Sequence, residues 1–319
     1  MKDYQPIRKL IYVVVYHTRG VHSDFATLQA LLPMFLSPTL TDIHISCTKV
    51  QGMVDLPEGG IKTPLKHLNF EECSFEASTL HALLGLPKNL TSLHLGEEMD
   101  NFRYKSYINE HIDSVLDAIS RQSHSLEYLH HNCRVNTIMF STYAPPVNIY
   151  ALSYFEVLTT LQMNCHSLFQ KLFLPTTLMR FCMTRLDCSR DWQALKFLRQ
   201  LDMPGLHVEV HVKLFSGTCT PWTRAKEAVE VARALRDKSI TVTFVEIHDV
   251  PHPPWLYDER TPRRDVFDST LYWAEEEKYV EEREAATEAG GGRQRRVISD
   301  GDDFTVRALK LVAGGYRAR

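Results

Sequence analysis

The chain has 319 residues and a mass of 36.8 kDa, which at about 150 residues per domain suits one elongated domain or two compact ones. Its 44% hydrophobic and 24% charged residues are ordinary for a globular protein and exclude a collagen, a mucin-like stalk or a wholly disordered chain. A net charge of −3 offers no global basic field for nucleic acid, and seven scattered cysteines without a C-x-x-C pair argue against a disulfide framework or a structural zinc site.

The N-terminal stretch Met1–Leu10 is polar and charged, and the apolar run Leu10–Tyr16 is too short for a signal-peptide core or a bilayer span. No other segment approaches the about 18 apolar residues a span requires. The expectation is a cytoplasmic or nuclear protein with no membrane partner.

A repeat then runs along most of the chain. FLSPTLTDIHI (35–45), GLPKNLTSLHL (85–95) and FLPTTLMRFCM (173–183) share a Pro followed by Leu-x-x-apolar-x-apolar. LKHLNFEECSF (65–75) fits the full pattern L-x-x-L-x-L-x-x-C-x-L through Leu65, Leu68, Phe70, Cys73 and Phe75. Looser copies begin at Ile7, at Leu126 (with His131 in an apolar slot) and at Leu158. The copies therefore start at residues 7, 40, 65, 90, 126, 158 and 178, with separations of 33, 25, 25, 36, 32 and 20. The usual period is about 20–29 residues, so the longer gaps imply larger helices or loops.

Between these strands the spacing predicts helices over Phe25–Phe35, Glu76–Leu86, Ile108–Ile119 and Trp192–Leu201. A strand–turn–helix unit cannot bury its own apolar face, so neighbouring units must stack. Beyond residue 205, Leu206–Leu214 alternates, with Leu206, Val208, Val210, Val212 and Leu214 on one face and His207, Glu209, His211 and Lys213 on the solvated one. Thr223 is expected to cap a helix over Ala225–Arg236, and Ile240, Val242 and Phe244 mark a closing strand. From Pro251 the composition shifts: PHPPW stops regular structure, Phe267, Leu271 and Ala274 suit a short helix, and Glu275–Glu288 is acidic. The expected organisation is a repeat region over 1–249 closed by strand–helix–strand. A Pro-rich linker, an acidic helix and a tail mobile from about residue 285 then occupy 250–319.

The Leu-x-x-Leu-x-Leu segments, their irregular lengths, Cys73 or Thr48 at the ninth position and Leu-Pro before the strand resemble leucine-rich-repeat proteins, in particular the repeat region of fungal F-box proteins. The resemblance covers about residues 7–248. It implies an α/β fold, a right-handed solenoid with a parallel sheet on the concave face and helices on the convex face. It further implies a receptor that holds a target protein while an F-box docks on the Skp1 adaptor of a cullin ubiquitin ligase. No F-box pattern, a Leu-Pro near the N-terminus followed by three short helices, occurs in the first 40 residues, so the likeness is to the repeat region alone.

Strand alternation turns positions 1, 4 and 6 of each copy to the core and positions 3, 5 and 7 outward. Position 3 gives Asp42, His67, Ser92, Tyr128, Thr160 and Arg180; position 5 gives His44, Asn69, His94, His130, Gln162 and Cys182; position 7 gives Ser46, Glu71, Gly96, Asn132, Asn164 and Thr184. These polar, histidine-rich rows suit recognition of a partner protein, and equally suit a merely solvated sheet face. The histidines suggest a mild pH dependence of partner binding more than a metal site, because zinc requires four close ligands. The pairs Cys165–His166 and His131-Asn132-Cys133 set thiols beside imidazoles, but adjacency in sequence is not a catalytic geometry, and buried core thiols are the plainer reading. Arg293, Arg295 and Arg296 in a glycine-rich stretch are too few to specify nucleic acid. The reading is of a non-catalytic recognition module with no cofactor or metal. A free-standing scaffold, or an enzyme with a Cys/His site, stands as the alternative.

Overall fold

The structure is a computed structural model, and it describes residues 7–13, 25–46, 49–51, 61–71, 73–75, 77–96, 112–132, 149–164, 174–186, 192–213, 221–247, 263–270, 273–274, 277–278 and 281. The chain divides into two compact units, 1–181 and 182–319. In chain order the first contains β1 (Lys9–Val13), β2 (Phe25–Thr27), α1 (Leu28–Phe35), β3 (Asp42–Ser46), β4 (Lys49–Gln51), β5 (His67–Glu71), β6 (Ser74–Phe75), α2 (Ala77–Leu84), β7 (Ser92–Gly96), α3 (Ile112–Ser120), β8 (Tyr128–Asn132), a short 3-10 helix (Ile149–Tyr154) and β9 (Thr160–Asn164).

The strands at the repeat positions form one parallel sheet in the order β1-β3-β5-β7-β8-β9. Each pairs with the next at the same repeat position, so Lys9, Asp42, His67, Ser92, Tyr128 and Thr160 lie side by side. A backbone ladder at the strand starts holds this phase. The carbonyl at position 2 of each copy accepts two N–H groups, from positions 2 and 3 of the following copy. Arg8 thus serves Thr41 and Asp42, Thr41 serves Lys66 and His67, Lys66 serves Thr91 and Ser92, Thr91 serves Glu127 and Tyr128, Glu127 serves Thr159 and Thr160, and Thr159 serves Met179 and Arg180, all at 2.8–3.1 Å. Threonine at position 2 adds a third donor: the hydroxyls of Thr41, Thr91 and Thr159 bond the carbonyls of Arg8, Lys66 and Glu127 at 3.3, 3.1 and 3.2 Å.

The apolar positions fill the core. Positions 1, 4 and 6 are buried in all six copies from residue 40 onward, from Leu40, Ile43 and Ile45 to Leu178, Phe181 and Met183. The helices contribute Leu31, Phe35, Leu80, Leu83, Leu84, Val115, Leu116 and Ile119, and Phe35 of α1 stacks on Phe70 of β5 with centroids 6.3 Å apart. A fully buried Leu or Phe stabilises by roughly 1.5–3 kcal/mol, so this double layer is the main support of the unit. Cys73, at the ninth position, is buried and its thiol donates to the carbonyls of Ile45 and Glu71, both at 3.3 Å. That contact ties one copy to the preceding one.

Several boundaries differ from the sequence reading. Phe25–Thr27 is extended rather than helical, because it pairs with β4, which in turn pairs with β6, in a second three-stranded parallel sheet. Two- and three-residue strands carry too little alternation to be read from a single sequence. The helices expected over 76–86 and 108–119 occupy Ala77–Leu84 and Ile112–Ser120; Ile108 lies outside the described residues.

Unit 2 takes up within β10 (Arg180–Leu186) and continues through α4 (Trp192–Gln200), β11 (His207–Lys213), α5 (Pro221–Arg236), β12 (Thr241–Ile247) and β13 (Arg263–Asp268). The order is β10-β11-β12-β13; β11 and β12 are parallel, and β13 is antiparallel to β12. Phe267 therefore lies in a strand rather than in the expected short helix; helical residues 269–270 and 273–274, Ala274 among them, follow it, and the segment past Pro251 supplies an edge of the sheet. The Ser269 hydroxyl accepts the N–H of Val242 at 2.9 Å, securing that end of β13. Helix α5 begins at Pro221, so Thr223 lies inside its first turn instead of capping it; proline at the first helical position has its φ preset and no N–H to leave unpaired. Glu209, expected on the solvated face of β11, is 3% exposed. The tail beyond residue 281, with Arg293, Arg295 and Arg296, lies outside the described residues, as do Cys133 and the Cys165–His166 pair.

One side chain straps unit 1 across its turns. Gln122, 2% exposed, donates to the carbonyls of Leu84 and Pro87 at 2.8 and 3.1 Å and accepts from the N–H of Leu90 at 3.0 Å. Gln122→Ala strands three buried backbone groups, each costing about 1–3 kcal/mol, and an overall loss of about 3 kcal/mol or more is expected. Urea denaturation followed by circular dichroism measures it; a loss within about 0.5 kcal/mol of zero would mean the strap carries no weight.

Candidate functional site

The register aligns the polar positions read from the sequence. Asp42, His67, Ser92, Tyr128 and Thr160 form one row, and His44, Asn69, His94, His130 and Gln162 the next. Ser46 pairs with Glu71, and Gly96 with Asn132, along a third; Asn164 ends β9. Arg180 begins β10, where its N–H continues the carbonyl ladder. His67 and Arg180 are exposed, whereas Asp42, His44, Asn69, Glu71, Ser92, His94, Tyr128, Thr160 and Gln162 are half-buried. His130 is buried, as are Gly96, Cys182 and Thr184, so the outward face is not uniformly solvated.

The middle row is condensed into a network. His44 Nε2 lies 3.2 Å from Glu71 Oε2. His94 and His130 share a contact between their Nδ1 atoms at 3.2 Å, with ring centroids 3.9 Å apart. Two nitrogens at that distance need one donor and one acceptor, which two neutral rings of opposite tautomer provide. Burial holds His94 in that neutral form: its pKa falls from 6.5 to about 4, mainly by desolvation, with Glu71 raising it and His44 lowering it. His94 therefore stays uncharged between pH 5.5 and 8, and the expected pH dependence of partner binding in that range does not arise from it. Asn69, placed between His44 and His94 by the register, has its Oδ1 buried with no hydrogen-bond partner among the described residues.

Gly96 makes the His94 position possible. A Cβ there would meet His94 Nε2 at 2.9 Å and the Phe70 carbonyl at 3.4 Å. Gly96→Ala is expected to swing the His94 ring off His130. The imidazole proton resonances of both histidines should then shift together; unchanged spectra would show that the ring has room.

One core slot holds a histidine. His131 occupies position 6 of its copy, is 2% exposed, and its Nε2 has no hydrogen-bond partner among the described residues. Desolvation lowers its pKa from 6.5 to about 4. An unfolded chain binds a proton near pH 6.5 that the folded core refuses down to about pH 4. Stability is complete above pH 6.5 and is lost as the pH falls toward 4, by roughly 2 kcal/mol from His131 at pH 5. His131→Leu, which restores the apolar slot, is expected to lose about 2 kcal/mol less than the wild type between pH 7 and pH 5 in urea denaturation. Equal losses would remove His131 as the source.

Unit 2 carries a second cluster. Cys182 of β10 and Glu209 and His211 of β11 bring Sγ, a carboxylate oxygen and an imidazole nitrogen within 4.8 Å of one another. Cys182 Sγ is 3.3 Å and Glu209 Oε1 2.5 Å from the same atom, His211 Nε2. The i, i+2 spacing in HVEVHVK sets Glu209 and His211 on one face. The sequence places Cys182 among the outward positions, but its adjacency to them needs the order of the strands.

The chain matches no family model, and neither curated proteins nor solved structures give a match. Among the described residues no helix is long and apolar enough to cross a membrane.

Proposed function

We propose that unit 1 is a recognition module of leucine-rich-repeat type that holds a partner protein on its polar sheet face and performs no chemistry there. Three features support the repeat reading: recurrent burial at positions 1, 4 and 6, the ninth-position thiol of Cys73 bonded to the preceding copy, and strands parallel in one phase. The observation that carries the function is the alignment of His44, Asn69, His94, His130 and Gln162 on five adjacent strands. Strands about 4.8 Å apart extend that row over about 19 Å, longer than a small molecule needs and suited to a segment of polypeptide. Its half-buried members His44, His94 and Gln162 place hydrogen-bonding groups along this length, His130 is buried, and His67, Tyr128 and Arg180 lie in the adjacent row. In this reading the module is a substrate receptor related to those of Skp1–cullin ubiquitin ligases; a free-standing scaffold is the other role open to the same face.

Affinity purification with mass spectrometry tests the proposal, using wild type and the double variant His67→Ala with Tyr128→Ala. Both sites lie in one row on the outward side, and circular dichroism of the double variant establishes that it is folded before capture is compared. The double variant should lose a protein that the wild type retains, by about tenfold or more if a central contact is removed. Retention of every captured protein by the folded double variant would refute recognition on this face. Skp1 and cullin among the captured proteins would mark a ligase receptor; a target captured without them would mark a scaffold.

A further inference from the structure

The geometry points to a zinc-type divalent cation site in unit 2, formed by Cys182 Sγ, Glu209 Oε1 and His211 Nε2. This inference is independent of the recognition face. A catalytic triad explains the cluster less well. In a nucleophilic triad the imidazole uses one nitrogen for the nucleophile and the other for the carboxylate. Here thiol and carboxylate both approach Nε2, so the ring cannot relay a proton between them along its two nitrogens. Glu209 and His211 form an ion pair with Cys182 Sγ beside the same nitrogen, so a cation bound here would take the place of the proton that the pair shares.

Three donors aimed at one small volume are what a cation organises. A tetrahedral zinc with bonds of about 2.0–2.3 Å has edges of about 3.3–3.8 Å between ligand atoms. The Sγ–Nε2 separation is 3.3 Å and all three donor atoms lie within 4.8 Å. The Nε2–Oε1 contact, at 2.5 Å, must open by about an ångström, which rotation of the Glu209 side chain supplies. Burial is compatible with this: Cys182 and Glu209 are each 3% exposed, so both donors are withdrawn from bulk water. Thiolate, imidazole and carboxylate together select zinc, because calcium and magnesium take oxygen ligands and copper(I) prefers sulfur. The donors stand on two neighbouring strands, with Glu209 paired to Thr243 on the third, so the site is carried by rigid sheet rather than by a loop. Three protein ligands leave a fourth position for water or for a donor brought by a bound molecule.

Cobalt(II) reports on this directly. Full-length protein is stripped with chelator and titrated with cobalt, and the thiolate-to-cobalt charge-transfer band is followed by absorption. One cobalt per chain with that band is expected, displaced by zinc. Cys182→Ser should abolish the band, and His211→Gln and Glu209→Gln should each weaken binding by about tenfold or more. Should Cys182→Ser not fold, alkylation of Cys182 in the wild type gives a second reading by mass spectrometry. Zinc is expected to slow modification at that residue. Failure to take up cobalt, a band that survives in folded Cys182→Ser, or a Cys182 alkylation rate indifferent to zinc would each overturn the site.

Discussion

Unit 1 depends on a carbonyl that serves two donors. At the start of each repeat strand the same backbone oxygen receives two N–H groups from the following copy, and the pattern recurs from Arg8 to Arg180. Because side chains alternate with a period of two, a slip of one residue would send the apolar core residues of a strand outward and outward side chains such as His44, His67 and His94 into the core. The doubled bond at the strand start resists that slip, and burial of positions 1, 4 and 6 resists it again. Register and core enforce each other, and the polar rows exist only because both hold.

The same constraint explains where polarity is tolerated inside. Gln122 fits because its amide satisfies three backbone groups that the turn around Leu86–Leu90 would leave bare. His131 is tolerated only as a neutral ring, and its cost appears when protons become abundant. His94 and His130 lie on the opposite face yet pack against one another, in space that the lack of a Cβ at Gly96 leaves for the His94 ring. Outward positions are therefore not interchangeable: some, such as His67 and Arg180, are exposed, and others are packed against each other.

Much of this was legible in the sequence for a simple reason. Leucines at 40, 65, 90, 126, 158 and 178 report a long-range order through a local motif, and every member recurs at the same strand position. What stayed hidden lacked such repetition. The small sheet of β2, β4 and β6 uses strands of two or three residues, and β13 announces itself only through pairing with β12. The meeting of Cys182 with Glu209 and His211 spans a helix and a change of strand, so no spacing rule in one sequence could group them. Glu209 looked solvated because alternation assigns a face without saying what covers that face.

Pinning each copy at its first residues has an evolutionary corollary. The chain between one strand and the next is free to change length, as separations of 20 to 36 residues already illustrate. A change of length between Gly96 and Tyr128 would leave Asn69, His94 and His130 abreast. Variation in length can accumulate in the connectors, with the lattice of strand-start bonds inherited unaltered.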